Sequence, residues 1–284
     1  MNLILGSIIV FASVLGGFAA GGGHIAAIWQ PFELVIILGA SLGGFIIANS
    51  MGVVMKSLKS IPSLFTGSKY KKADYLDALG FMYDLFTKAR KEGLMGIEPD
   101  IEEPASSALF QKYPRTLKDH HAVEFISDYM RLVVSGNMNP FELDNLMDIE
   151  LNTHHHEAEE ASHAVQQVAD GLPAFGIVAA VLGIVHTMGA LGGPMAEVGA
   201  LVAAALVGTL SGILIAYGFV GPIATMLARY AADETRFLSC IKACILANVQ
   251  GYSPQVAVEF GRKTMASDLR PSFSELEKHL RGGK

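Results

Sequence analysis

The chain has 284 residues, 51% of them apolar and only 17% charged, with a net charge of −6 and two cysteines. So apolar a chain is neither disordered nor collagen-like, two cysteines exclude a disulfide scaffold, and the acidic balance argues against a nucleic-acid partner. The placement of charge says more than its amount. Twelve Lys and Arg lie between Lys56 and Arg131 and nine between Arg229 and Lys284, while residues 1–55 and 132–228 hold none.

Residues 3–20 form an uncharged run of 18, enough at about 1.5 Å per residue to cross most of a bilayer core of about 30 Å. Gly21, Gly22 and Gly23 end it. Pro31 opens a second run, from Phe32 to about Met55, whose only charge is Glu33 in its first turn. A third starts at Pro173 and lasts to about Leu191. After Gly192, Gly193 and Pro194, a fourth runs from Val198 to Ala228. The cation asymmetry sets the orientation. The connections 21–30 and 192–197 lack Lys and Arg and are expected outside. The segments 56–170 and 229–284 hold them all and are expected in the cytoplasm, as are both termini. The first run lacks a basic leader and an A-x-A site, so it does not read as a cleaved signal. The expected fold is an all-α polytopic membrane protein. Its parts are a first hairpin (1–55), a helical cytoplasmic domain (56–170), a second hairpin (171–228) and a cytoplasmic tail (229–284).

Within 56–170, residues 74–92 place Leu76, Leu79, Tyr83 and Phe86 on one stripe and end at Gly93, a good residue just past a helix. Asp74 and Asp77 at its start and Lys88, Arg90 and Lys91 at its end suit the helix dipole. Residues 122–135 carry Val123, Phe125, Ile126, Tyr129, Met130 and Val133 and stop at Gly136. Asn139, Pro140 and Glu142 then form a capping-box start. No breaker follows until Gly171, which predicts a rod of roughly 45 Å leading into the third span.

The triplet His154, His155 and His156 cannot converge on one ion, because consecutive helical residues point about 100° apart. With Glu157, Glu159 and Glu160 it reads as a solvated face, and no metal or other cofactor is expected. Cys240 and Cys244, at i, i+4 in a reducing compartment, read as packing residues. Two charge clusters stand out: basic Lys88, Arg90 and Lys91, and acidic Glu98, Asp100, Glu102 and Glu103 between Pro99 and Pro104. They flank a short loop and read either as dipole complement and solubility or as an electrostatic docking surface.

No G-x-S-x-G, H-E-x-x-H, P-loop or dinucleotide glycine pattern occurs, so no enzyme is expected. Ion transport through hydrocarbon usually needs an intramembrane ionisable group. Glu33 and Glu197 fall at the outer ends of spans, Asp170 at an inner boundary and His186 nearer the outer face. What remains is hydroxyls (Thr187, Thr209, Ser211, Tyr217), two prolines (Pro173, Pro222) and dense small residues, including Gly176, Ala179, Ala180, Gly183, Gly208 and Gly212. Small-xxx-small spacing brings helices close. An ion-conducting role would therefore need a partner that supplies the titrating carboxylate.

The runs DGLPAFGIVAAVLGIVHTMG (170–189), LVGTLSGILIAYGFVGP (206–222), QPFELVIILGA (30–40), SGNMNPFELDNLMD (135–148) and GYSPQVAVEFGRKT (251–264) resemble the MotA family of flagellar motor stator subunits over essentially the whole chain. The wider MotA/TolQ/ExbB family includes energisers of outer-membrane transport. Those resemble the last two spans but have three in all, so the first hairpin favours the motor branch. The resemblance implies a ring of five subunits in the cell inner membrane around a single-span MotB-like partner, whose Asp carries the proton. It implies that Arg90 and Glu98 face the rotor protein FliG, that Pro173 and Pro222 couple protonation to movement, and that Thr209 lines the ion path. Sodium-driven relatives resemble this chain but carry Thr at Ala180, so a proton-driven motor is expected, with a sodium-driven one as the alternative.

Overall fold

The computed structural model describes residues 2–136 and 138–282, with side chains from Leu3 onward. Asn137, within the run 135–148, lies outside the described residues. Among the described residues the chain is helical, with no strand. It divides into two compact units, one of residues 1–67 and 158–229, the other of residues 68–157 and 230–284.

The first unit holds the apolar helices. Asn2–Ala20 ends at a turn in which Gly22 has φ +86°, a conformation that costs glycine nothing. Pro31–Ala48 begins with proline in its first turn and Glu33 beside it, as helix starts favour. Met51–Ser60 is capped by Ser50, whose Oγ accepts a hydrogen bond from the Val53 amide at 3.4 Å. Four helical stretches are long and apolar enough to cross a membrane. Their apolar windows are only 0%, 11%, 22% and 28% buried in chain order, so their flanks are free to meet lipid or other chains. Ile4, Leu5, Ile8 and Phe11 are exposed along the first, and Ile177, Val181, Leu182 and Val185 along the third. The chain is a multi-pass membrane protein.

The rod expected to run about 30 residues to Gly171 and lead into the third span continues without a break: a single helix runs from Pro140 to Gly189 with Pro173 inside it. Proline removes one backbone hydrogen bond without ending a helix when packing holds the neighbouring turns. Leu172, directly before it, is buried in a small cluster with Ile37, Ala179 and Ala216.

The second unit is a helical domain with an aromatic core. Lys72–Glu92 buries Tyr75, Ala78, Leu79, Phe81, Met82, Leu85 and Phe86, a wider face than the expected stripe, with Leu76 and Tyr83 at its margins. It stops at Gly93, φ +81°. His120–Ser135 buries Ala122, Phe125, Ile126, Tyr129 and Met130 and stops at Gly136 in the left-handed region. The start at Asn139 is as expected: its Oδ1 accepts from the amides of Phe141 and Glu142 at 3.0 Å, and Glu142 Oε2 accepts from the Asn139 amide at 3.1 Å. Phe81 packs on Phe110, and Phe237 on Tyr70 and Tyr75. Lys242, largely buried, joins Asp144 and Asp148 at 2.6 Å each. Cys240 and Cys244 are buried and unbridged. Burial pushes the Cys244 thiol well above its ordinary value, which keeps it protonated and inert.

Candidate functional site

Three observations bear on function, two in the first unit and one in the second. The first is the seam between the helices Pro140–Gly189 and Met195–Ile215. A Cβ added at Gly212 would lie 2.7 Å from the Leu172 carbonyl oxygen and 2.9 Å from Gly176 Cα. One at Gly183 would lie 2.7 Å from Ala205 Cβ, and one at Gly176 would lie 3.1 Å from the Gly208 carbonyl oxygen and 3.4 Å from Thr209 Cα. The small residues are therefore a contact surface where backbones meet, as small-xxx-small spacing predicts. Ala180 and Thr209 fall on this seam, both partly buried. Thr187 spends its hydroxyl on the Gly183 carbonyl, at 2.8 Å within its own helix, which leaves no donor for another ligand.

Glu33 departs from its expected place at the margin of the spans. Its helix packs on Met195–Ile215, and its Oε2 lies 3.3 Å from where a Cβ on Gly208 would sit. That oxygen is buried and, among the described residues, has no hydrogen-bond partner. Sequence distance hid this: Glu33 is in the first turn of its helix, yet its side chain reaches the mid-helix glycine of another.

The second observation concerns the prolines. Pro173 sits in the unbroken helix described above. Pro222 follows a π-helical segment, Ala216–Val220, that joins Met195–Ile215 to Gly221–Val249. A proline ring clashes with the carbonyl four residues before it, which is that of Gly218. The wider π turn displaces this carbonyl, so the bulge and the proline occur together. Such bulges are frequent at functional sites.

The third observation sorts the charged clusters of the second unit. Lys88 is fixed: its Nζ donates to Asp100 Oδ2 at 2.7 Å and lies 4.0 Å from Glu92. The Asp100 carboxylate that accepts this bond raises the Lys88 ammonium above its ordinary value. Asp100 is buried and also accepts from Ser107 Oγ at 2.7 Å. Glu102 is bound by Arg131, whose Nε lies 2.7 Å away, and Glu103 by Ser106. Arg90, Lys91 and Glu98 are exposed, and among the described residues none of them forms a salt bridge. Four of the seven charged residues at this loop are thus internal architecture. Arg90 and Glu98, the two positions implied by the family resemblance, belong to the other three.

The expected solvated face at 154–156 needs correction. Only His156 is exposed. His155 and His154 are partly buried against the helix Gly221–Val249, His155 Nδ1 lying 3.0 Å from Thr235 Oγ1. Helical phase shows which residues share a face, but it does not show which faces meet a neighbour.

Known proteins resemble the chain along its length. The Motility protein A N-terminal model matches residues 4–93, and that of the MotA/TolQ/ExbB proton channel family matches residues 117–239. Motility protein A of Salmonella typhimurium is 50% identical, over 99% of this chain and 95% of that protein. That of Escherichia coli is 49% identical, over 100% and 96%. Chemotaxis protein LafT of Vibrio parahaemolyticus is 35% identical, over 99% and 98%. Among solved structures, the MotAB structure of C. jejuni has a TM-score of 0.78 at 20% identity, covering 96% of this chain and 99% of that one. The flagellar MotAB stator complex of Bacillus subtilis has a TM-score of 0.75 at 21% identity, covering 95% and 98%. Those two likenesses concern the fold. With two family models covering both halves, and half of all residues shared end to end with curated relatives, this chain belongs to the Motility protein A family of the MotA/TolQ/ExbB proton channels.

Proposed function

We propose that the chain works as the stator subunit of a bacterial flagellar motor. It forms a ring of five in the inner membrane around a single-span partner of the MotB type, which contributes a proton-carrying Asp. Both termini and the segments 56–170 and 229–284 lie in the cytoplasm, and 1–55 and 171–228 form the membrane hairpins. Inward proton flow past the seam at Ala180 and Thr209 shifts the second hairpin about Pro173 and Pro222. The cytoplasmic helices pass that movement to the rotor protein FliG through Arg90 and Glu98. The observation that carries this reading is the sorting of the charged clusters: the loop binds its other acids internally and leaves Arg90, Lys91 and Glu98 exposed and, among the described residues, without a salt bridge, the state an electrostatic docking surface requires.

Protons rather than sodium fit the seam. A bare sodium ion must replace its hydration shell with several oxygens, and Ala180 offers no side-chain oxygen. An outer-membrane energiser of the ExbB or TolQ type is the weaker reading, since the Motility protein A N-terminal model covers the first hairpin.

The test is genetic. Arg90→Glu and Glu98→Lys are each expected to slow swimming, and a charge reversal on the rotor is expected to restore part of it. Full motility of both variants in every rotor background would remove the docking role. Swimming speed that follows the sodium gradient and ignores the proton gradient would remove the proton assignment.

A further inference from the structure

We propose that the second unit contains a transition-metal site, formed by His121 Nδ1, His154 Nε2 and Glu234 Oε1 and suited to Zn²⁺. The three residues come from three helices, His120–Ser135, Pro140–Gly189 and Gly221–Val249. Their ligand atoms all lie within 4.8 Å of one another. His154 Nε2 is 3.1 Å from His121 Nδ1 and 3.8 Å from Glu234 Oε1. A tetrahedral zinc ion with bonds of about 2.0–2.1 Å holds its ligands roughly 3.3 Å apart, so these separations bracket the required edge. His121 is exposed and free to rotate the last few tenths of an ångström.

The surroundings support a cation. Two imidazole nitrogens at 3.1 Å can share only one hydrogen, whereas an ion uses both lone pairs at once. Glu234 is steadied by Tyr70, whose hydroxyl lies 3.4 Å from Oε1 and whose ring stacks on Phe237. A hydroxyl placed to donate to a ligating carboxylate is a usual outer partner in metal sites. Asp119 caps the helix that carries His121 and is paired with Lys69 at 2.9 Å. A cavity of about 340 Å³ opens beside His121 and His154, lined also by Glu124, Glu150, Thr153 and Glu157. It leaves room for a water as the fourth ligand and gives an acidic approach. Two imidazoles with one carboxylate favour zinc and its borderline neighbours over calcium or magnesium, which take oxygen ligands. An ion there would clamp three helices of the unit together.

The experiment uses the full chain with its partner subunit in detergent, carried on a tag without histidine, stripped with chelator and titrated with Zn²⁺ alone. One ion per chain is expected, with a rise in Tm, and at least tenfold weaker binding in both His121→Ala and His154→Ala. Glu234→Gln is expected to weaken binding several-fold, and His156→Ala to leave it unchanged. No stoichiometric binding, or binding untouched by His121→Ala and His154→Ala, would overturn the site.

A separate observation in the membrane unit carries a second inference, which rests on the stator reading. The geometry points to Glu33 as a proton-accepting group that this chain itself places beside the ion path. Its buried Oε2 has no partner among the described residues. It occupies the space left by Gly208, where an added Cβ would lie 3.2 Å from Ala179 Cβ, 3.3 Å from Glu33 Oε2 and 3.4 Å from the Ala180 amide nitrogen. A buried polar atom in hydrocarbon is costly unless a proton, water or partner group completes it. Gly208 and Ala180 adjoin Thr209 and Ala179 along the same seam.

In cells lacking their own stator, Glu33→Gln, which keeps the shape and removes the charge, is expected to cut swimming speed and proton flux severalfold while the complex still co-purifies with its partner. Glu33→Asp is expected to recover part of both. Wild-type flux and speed in Glu33→Gln would overturn the inference and leave the stator reading standing. Failure of the unaltered chain to restore motility with its partner would overturn the stator reading instead.

Discussion

Gly212→Ala tests whether the seam is a contact between backbones. The new Cβ would lie 2.7 Å from the Leu172 carbonyl oxygen, 2.9 Å from Gly176 Cα and 3.2 Å from Gly176 N. Comfortable contact needs about 3.5 Å, so the two helices must part by roughly 0.6–0.8 Å. All three obstructing atoms are backbone, and no rotamer change can relieve them. Overpacking of this kind costs about 1–3 kcal/mol. Alanine returns up to about 1 kcal/mol through its better helix propensity, leaving a net loss of roughly 1–2 kcal/mol. For a chain of this size that is about 2–8 °C in Tm. Thermal unfolding of the detergent-solubilised complex reads the number directly, and swimming reads its consequence. Gly199→Ala, on the same helix with nothing within 4 Å, is the control and is expected to be neutral or slightly stabilising. An unchanged Tm in Gly212→Ala would show that the helices do not meet there.

Pro173→Ala restores a backbone donor within Pro140–Gly189; assembly is expected to persist while torque falls, as read by co-purification and by rotation under load. Asp100→Ala strips Lys88 and Ser107 of their shared acceptor and is expected to destabilise the second unit by about 1.5–3 kcal/mol, the usual worth of hydrogen bonds to a charged group, as read by denaturant unfolding. The raised Lys88 ammonium fixes the sign with pH: its contribution is complete below the ordinary lysine value and is lost as pH climbs through the higher folded value. Alkaline titration is therefore expected to lower the Tm of the wild type more than that of Asp100→Ala.

Much of this architecture was written locally. Eighteen uncharged residues in a row admit few readings, and Gly93, Gly136 and Asn139 act within a turn of where they stand. The four spans and the caps were therefore legible. That the rod runs on through Gly171 and Pro173 was not legible, because the local effect of a proline is to remove one bond, whereas Leu172 and its packing partners decide whether the helix survives. Glu33 and His154 were misjudged for a common reason. Each meets a residue far away in the chain, Gly208 in one case and His121 and Glu234 in the other, and no periodicity records such meetings. The charged loop lay between these extremes. Its composition was evident, but only the fold separates Asp100, which holds the loop together, from Glu98, which is exposed and, among the described residues, forms no salt bridge.

The π segment at 216–220 carries a consequence for registration. One extra residue in a turn offsets everything after it by about 100° relative to an uninterrupted α-helix. The face that Gly208 and Gly212 present and the face that continues into residues 221–229 are therefore out of phase by one residue's rotation. Deleting any single residue from 216–220 removes that surplus and leaves Pro222 and all that follows on the same side, but it restores the tight α turn whose carbonyl the Pro222 ring would meet. In this stretch the number of residues matters more than their identity, so a one-residue deletion should harm the protein more than most substitutions.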